Sequence, residues 1–565
     1  MIKNSNTSIV FQSSRKAIAA VARLQKDPVH IVQSSKKIIA AVQRFQNDPN
    51  TTLLTNMSEA AAASDQKSGR GQQPVLASQR AKDEQAQSIS KQTASRMGYF
   101  PLGYKDAIHQ WWTSVTPPIA ERNVVSCIPY LREAVAQSVA PLDALPSAEH
   151  PGSQETSAKV DPFGPRVWRS QMVQLPGKNR ALNEFSVEHV DESHDDTLVM
   201  LHGYGAGLGF YYKNFEPLTR AKGWKLYALD MLGMGNSTRP PFRVNAKDQE
   251  GKITEAENWF IDALEDWRKA RKLEKFTLLG HSLGGYLAVS YALKYPGHLN
   301  KLILASPVGI PEDPYAVNSE MPEPKESTFQ DEFTQDQQAT TQSHDQNSLG
   351  NSKIKPSGAE TPKKRPYPGW LVWLWDANVS PFSIVRLSGP LGPRFVSGWT
   401  SRRFDHLPTD EAQTLHDYAY SLFRQKGSGE YALPYLLAPG AFARRPVINR
   451  IQGVGRQVIT PASESSPAVK ETGFPIVFMY GENDWMDKKG GQAAEEKLKQ
   501  AKVKALLDGT DEEKRKENGA AKVVIIKKAG HHLYLDNADD FNEVMRKEME
   551  DTRKKTLRDR ESTST

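Results

Sequence analysis

The stretch Phe276-Thr277-Leu278-Leu279-Gly280-His281-Ser282-Leu283-Gly284-Gly285-Tyr286-Leu287-Ala288 constrains what this chain can fold into more than any other. A short apolar run that ends in Gly-X-Ser-X-Gly and continues into small, helix-competent residues predicts a strand turning sharply into a helix, with a serine at the apex. Gly280 and Gly284 flank a residue held in a strained backbone conformation, where a Cβ on either side would collide with the strand or the helix start. Ser282 is then expected to project its hydroxyl above the sheet. The Leu283 N–H and the positive end of the helix dipole would point to where an oxyanion forms. A chance pentapeptide in a loop lacks this strand-turn-helix context, which is present here.

The surrounding pattern supplies a sheet for that turn. Thr197–Leu201 and Lys225–Leu229 read as buried strands with a helical Tyr211–Ala221 between them, and strand-helix-strand at this spacing predicts parallel pairing. Thr254-Glu255-Ala256-Glu257 resembles a capping box that opens a helix to about Leu273. The elbow strand follows, then its helix to Tyr295, then Lys301–Ala305 as another core strand. The sheet resumes with Pro475–Tyr480, a helical segment through Leu498, a charged loop around Asp511–Asn518, Lys522–Ile526, and a last helix over about Asn537–Glu550. The expected fold class is therefore α/β, a mostly parallel sheet with helices on both faces.

A serine hydroxyl is a weak nucleophile at neutral pH and needs a histidine to take its proton, and that histidine needs a carboxylate to hold its tautomer. Both partners are expected after later strands, in the order Ser, acid, His. Gly481-Glu482-Asn483-Asp484 follows one strand and Ala529-Gly530-His531-His532 follows the next, so Asp484 is assigned as the acid and His531 as the base. Asp487 and His532 are the nearest competitors. Leu201-His202-Gly203-Tyr204-Gly205 closes an earlier strand with a glycine-rich turn, and Tyr204 N–H together with Leu283 N–H is expected to form the oxyanion hole. The alternative for that turn is a tight strand-to-helix connection with no catalytic part. No metal or cofactor is expected.

The rest of the chain divides by composition. Residues 1–56 carry a duplication, in which Phe11-Gln12-Ser13-Ser14-Arg15-Lys16-Ala17-Ile18 recurs as Val32-Gln33-Ser34-Ser35-Lys36-Lys37-Ile38-Ile39. This basic, acid-poor, amphipathic start reads as a mitochondrial transit peptide, with a basic partner-binding leader as the alternative. Initiation at Met57 would discard it. Residues 57–97 read as a disordered linker, and 98–184 as an aromatic N-terminal extension with Trp111 and Trp112, suited either to a membrane interface or to packing on the main domain. The core halves are expected at 185–310 and 456–550, separated by a helical lid at 311–455 that contains a disordered insertion at about 316–364, and 551–565 is expected to be a frayed basic tail. No run of about 18 uncharged apolar residues marks a membrane span. The single cysteine, Cys127, excludes an intramolecular disulfide framework. A net charge of +7 suits an anionic partner such as an acidic phospholipid surface. Its basic residues are dispersed with no aromatic-basic platform, which argues against nucleic acid.

With these residues in hand, the chain resembles the α/β-hydrolase superfamily from about Phe185 to Arg546. The elbow, the Gly481–Asp487 segment and His531-His532-Leu533-Tyr534-Leu535-Asp536 resemble its lipid-active branch, which contains lysophospholipases, lipase coactivators, lysophosphatidic acid acyltransferases and the fungal mitochondrial cardiolipin-specific deacylase. The insertion after the strand that follows the elbow is where a lid would sit over the serine, and it departs from the features of that family, as does the duplicated leader. The resemblance associates the His-X4-Asp spacing of His531 and Asp536 with acyl transfer, although Asp536 would equally suit a cap for the last helix. Coactivator members lack the serine that this sequence has, so the resemblance implies an enzyme. The function expected is a serine phospholipid acyl hydrolase acting on cardiolipin or a related anionic phospholipid through an acyl-serine. The alternatives are a lysophosphatidic acid acyltransferase using acyl-CoA and a membrane-bound regulator of another lipase. The expected location is mitochondrial, at the inner membrane surface or in the matrix, with the cytoplasm or a lipid-droplet surface as the alternative.

Overall fold

The computed structural model describes residues 101–131, 152–155, 161–190, 192–313, 375, 377–463 and 467–564. The expected leader, linker and low-complexity insertion lie outside the described residues. Nine strands build the main sheet: β1 (Gly152–Glu155), β2 (Arg166–Gln174), β3 (Ala181–His189), β4 (Asp196–Leu201), β5 (Trp224–Leu229), β6 (Phe276–His281), β7 (Leu299–Ala305), β8 (Pro475–Gly481) and β9 (Ala520–Ile526). Their order is β1-β2-β3-β5-β4-β6-β7-β8-β9. The pairs from β5 through β4, β6, β7 and β8 to β9 are all parallel, and β1, β2 and β3 add an antiparallel edge.

Burial explains why the central strands read as unbroken apolar runs. Every residue of β4 and β6 is buried, because helices cover both faces of a parallel sheet. Leu278, Leu279, Leu302, Ile303 and Leu304 have no exposed surface, and each such side chain contributes about 1.5–3 kcal/mol through its removal from water. The helices that cover the sheet include α3 (Tyr212–Leu218), α4 (Gln249–Ala270) and α5 (Leu283–Lys294), with α9 (Lys488–Asp508) and α10 (Ala538–Ser564) closing the second half.

Four boundaries differ from expectation, each for a local reason. The sheet begins upstream of residue 185, since β2 pairs along its whole length with β3. Its alternating buried and exposed residues give a weaker signal than a central strand. Helix α4 opens at Gln249, where Asp248 caps the Gly251 N–H at 2.8 Å, so Thr254 lies inside it. The charged stretch after α9 contains a helical turn, Asp511–Lys516, with a capping box in which Thr510 and Glu513 satisfy each other's N–H groups. The tail is no frayed end. Helix α10 continues to Ser564 because Thr556 Oγ1 donates to Asp196 at 2.8 Å and Arg560 pairs with Asp195 at 2.6 Å.

The N-terminal extension packs on the lid. Of the three lid helices, α7 (Gly392–Arg403) lies beside α1 (Tyr104–Thr113), α8 (Thr409–Phe423) lies beside α2 (Pro117–Val125), and α6 (Pro381–Leu387) packs on α7. Leu102 N–H donates to Ser397 at 2.9 Å, and Gln110 bonds both Asp417 at 2.6 Å and His416 at 3.0 Å. Helix α2 also reaches the core. Its buried Glu121 accepts from Asn183 at 2.8 Å and Asn236 at 2.6 Å, and burial with the nearby Asp230 pushes its carboxyl up to about 8. Between the ordinary value of 4.5 and that raised value, the folded state keeps a proton that the unfolded chain has released, so stability falls as pH rises through this window. Glu121→Gln is expected to flatten that fall and to raise the melting temperature at pH 8, measured by thermal unfolding from pH 5 to 9. An unchanged slope would contradict the assignment.

Candidate active site

The elbow forms as its sequence requires. Strand β6 ends at His281, Ser282 takes φ 53° and ψ −117°, and α5 starts at Leu283. A non-glycine residue at positive φ is strained and needs bracing, and here Ser282 N–H donates to the Ala305 carbonyl of β7 at 3.0 Å. The flanking glycines are demanded by contact: a Cβ on Gly280 would stand 2.3 Å from Gly284 O, and one on Gly284 would stand 2.6 Å from His202 O.

The carboxyl ends of β6, β8 and β9 bring the three assigned residues together. His531 Nε2 lies 3.0 Å from Ser282 Oγ, and His531 Nδ1 lies 3.3 Å from Asp484 Oδ1. The second distance is long for a hydrogen bond, a spacing common where substrate has yet to tighten the site. All three are buried, with relative exposures of 7%, 7% and 8% for Ser282, His531 and Asp484. Burial alone would raise the Asp484 carboxyl. Its hydrogen bond and charge interaction with His531, the Ser306 hydroxyl and the Met486 N–H at 3.0 Å outweigh burial and hold it below the usual carboxylate range. The aspartate is therefore ionised and aimed at the imidazole.

Ser306 is a member of this site that the sequence did not reveal. It sits just past β7, at φ 44°, with its N–H donating to Met479 O at 2.7 Å and its hydroxyl on Asp484 Oδ2. A small polar residue at the carboxyl end of the strand beside the elbow strand is the only signal it leaves in sequence. Ser306→Ala is expected to lower kcat by about tenfold, in line with one lost hydrogen bond to a charged group, and to leave KM unchanged. Full activity in steady-state ester hydrolysis would contradict this role.

The loop after β4 lies against the nucleophile. A Cβ on Gly203 would come within 2.9 Å of His281 Nδ1 and 3.0 Å of Ser282 Cβ. His202 sets this loop: its Nδ1–H donates to Gly203 O at 2.7 Å, while Nε2 accepts the Met231 N–H at 3.0 Å. Burial keeps that imidazole neutral, as two opposite roles for its nitrogens require. Leu283 opens α5, so its N–H has no acceptor within the helix. Tyr204 follows Gly203 and stacks on Phe382 of α6 with centroids 5.1 Å apart, and Phe382 in turn stacks on Phe423 of α8 at 4.5 Å. These lid aromatics leave a cleft of about 20 Å³ beside Tyr204 and Gly205, room for about one water. Trp375, just before the lid helices, donates to Leu437 O at 3.1 Å.

The competitors have other partners. Asp487 caps α9 through the Lys489 N–H at 2.9 Å. His532 accepts the Arg403 Nε–H at 3.0 Å, and burial together with that guanidinium keeps it neutral. Asp536 accepts the Gly530 N–H at 2.9 Å and pairs with Arg403 at 2.8 Å. It does not cap the last helix, since Asn537 accepts the Asp540 N–H there at 3.3 Å. His281, the variable residue before Ser282, donates Nε2–H to the His531 carbonyl at 3.0 Å and so ties the elbow to the loop of the base. Among the described residues no group of His, Cys, Asp or Glu is arranged to hold a metal, and no helix is long and apolar enough to cross a membrane.

Comparison with known proteins agrees with this geometry in kind. A family model described as alpha/beta hydrolase fold matches residues 196–538. The chain is 31% identical over 361 residues to a probable 1-acylglycerol-3-phosphate O-acyltransferase of Oryza sativa subsp. japonica, covering 63% of this chain and 67% of that protein. It is 27% identical to the Mus musculus 1-acylglycerol-3-phosphate O-acyltransferase ABHD5, covering 70% and 88%. It is 28% identical to the Homo sapiens (lyso)-N-acylphosphatidylethanolamine lipase, covering 66% and 85%.

Proposed function

The chain belongs to the alpha/beta hydrolase family, and from that premise we propose that it is a serine-dependent phospholipid acyl hydrolase that removes an acyl chain from cardiolipin or a related anionic glycerophospholipid. The observation that carries the reading is the buried line Asp484, His531, Ser282, with its two spacings of 3.3 and 3.0 Å. Ser282 Oγ attacks the ester carbonyl as His531 Nε2 takes its proton, and the Tyr204 and Leu283 N–H groups receive the charge on the carbonyl oxygen. The tetrahedral intermediate collapses when the imidazolium gives that proton to the departing glycerol oxygen, which leaves as lysolipid. Water, deprotonated by His531, then attacks the acyl-serine, and the fatty acid departs as Oγ recovers a proton. Asp484 holds His531 with Nδ1–H toward it and stabilises the imidazolium.

Access requires movement of the lid, because the cleft beside Tyr204 is far smaller than an acyl chain. The outer surface of α1 and the lid helices supports work at a membrane. Trp112 is 81% exposed, and Tyr104, Ile108, Ile384, Leu387 and Phe395 are each about half exposed, on neighbouring helices. Aromatic and aliphatic side chains of this kind favour the bilayer interface, and the net charge of +7 favours an anionic one. The duplicated basic leader supports a mitochondrial membrane as the site of action.

A second reading is favoured by the names of the relatives: lysophosphatidic acid in place of water as the acceptor, with acyl-CoA as donor. In that reading Ser282 Oγ attacks the acyl-CoA thioester, CoA departs as the thiol with the proton from His531, and the hydroxyl of lysophosphatidic acid then takes the acyl group from the same acyl-serine as Oγ recovers a proton. Lipid mass spectrometry of the full chain on cardiolipin vesicles separates the readings. Monolysocardiolipin and free fatty acid are expected. Phosphatidic acid formed only when lysophosphatidic acid and acyl-CoA are both present would replace the hydrolase with the acyltransferase, and no product in either assay would leave the regulator of another lipase.

A further inference from the structure

The pair Arg403–Asp536 joins the lid to the loop that carries the base. Arg403 is the last residue of α7, and its guanidinium is almost fully buried, as is the Asp536 carboxylate, with side-chain exposures of 8% and 14%. One arm, Nη1, reaches Asp536 Oδ1 at 2.8 Å, and Nε reaches His532 Nδ1 at 3.0 Å. The other Asp536 oxygen accepts the Gly530 N–H at 2.9 Å. The residues on both sides of His531, Gly530 and His532, are thus held by one ion pair, and the His281 bond at 3.0 Å holds the His531 carbonyl. Only a planar fork with several donors serves two acceptors in this way, whereas a lysine ammonium reaches one of them. The His532 ring stands 5.4 Å from the His531 ring and nearly perpendicular to it, so a displaced His532 moves the base.

We infer that Arg403 is a positioning residue that latches lid helix α7 to the histidine loop, and that Asp536 is its anchor rather than an acid reserved for acyl transfer. The inference rests on the reading of Ser282 and His531 as nucleophile and base. The lid and the imidazole are coupled: with α7 seated, His531 is held against Ser282, and lifting α7 withdraws Arg403 and frees the loop. Asp536 then serves whichever acceptor resolves the acyl-serine, since its contacts are to the loop and the lid and none is to the reacting atoms.

The test uses the full chain with Arg403→Gln, Arg403→Lys, Asp536→Asn and the Arg403→Gln/Asp536→Asn double variant. Steady-state hydrolysis of p-nitrophenyl butyrate is measured beside amide hydrogen exchange of peptides covering 527–536. Misplacing a base by about an ångström costs up to roughly 100-fold, so kcat is expected to fall about 10- to 100-fold in Arg403→Gln and Asp536→Asn, with KM within about twofold. Two members of one latch are not additive, so the double variant is expected to be no slower than the slower single. Exchange across 527–536 is expected to quicken in both, and Arg403→Lys is expected to restore part of the protection and part of kcat. Additive losses, unchanged exchange, or an Asp536→Asn variant that hydrolyses normally while losing only transfer to lysophosphatidic acid would each overturn the latch. If the parent protein cleaves no acyl ester, the proposed function fails, and the exchange data alone then decide the latch.

Discussion

Ser282→Ala is expected to reduce ester turnover by about 10⁶-fold, equivalent to about 8 kcal/mol of transition-state stabilisation, without unfolding the protein. The size follows from the site's economy of parts. The Ser282 hydroxyl lies 3.0 Å from His531 Nε2 at the apex of the elbow, so removing it removes the acyl intermediate altogether. The fold survives because the apex is held by backbone: Ser282 N–H to Ala305 O, and Val308 and Gly285 N–H to Ser282 O, at 3.0 to 3.3 Å. Alanine keeps all three. Stopped assays on a long time base, with thermal melts alongside, check both halves. Residual activity within tenfold of the parent would mean that another group is the nucleophile.

Asp484→Asn carries the second large effect, a fall in kcat of about 10⁴-fold at nearly constant KM. An asparagine is isosteric, so the position of the loop is expected to hold. Its amide, however, offers a donor where His531 needs an acceptor, which favours the wrong imidazole tautomer and leaves the imidazolium without a counter-charge. The Ser306 hydroxyl and the Met486 N–H already donate to this carboxylate, so the variant's amide nitrogen has few places to turn. Crystallography of the variant with steady-state kinetics checks the claim. A loss below about tenfold would move the acid elsewhere, and Asp487 would be the first candidate despite its cap on α9.

The centre of the fold was legible because its signals are local. The elbow strand and its neighbours are continuous apolar runs, which is what burial on both faces produces, and the glycines at 280 and 284 answer contacts made within a few residues and with the adjacent turn. The order Ser, acid, His followed from short motifs placed at strand ends, and the structure brings Ser282, Asp484 and His531 to one edge of the sheet. What the sequence hid is long-range or polar. Ser306 meets Asp484 across 178 residues and Arg403 meets Asp536 across 133, and no local pattern marks a serine or an arginine for such a role. The late turns of α10 read as a solvated tail because their partners, Asp195 and Asp196, lie at the far end of the core. The short helix at Asp511 was legible after all: Thr510 and Glu513 form the box that announces it, but the density of charge around them masked the signal.

The central claim is that an acyl group passes through Ser282, and intact-protein and peptide mass spectrometry after rapid acid quench tests it most directly. The full chain, mixed with cardiolipin vesicles and quenched before the steady state, is expected to carry one acyl mass on the peptide containing Ser282. That adduct should vanish in Ser282→Ala and should accumulate in a His531 variant only if some other base forms it. Product release with no adduct at any quench time, or an adduct on a different residue, would contradict the account.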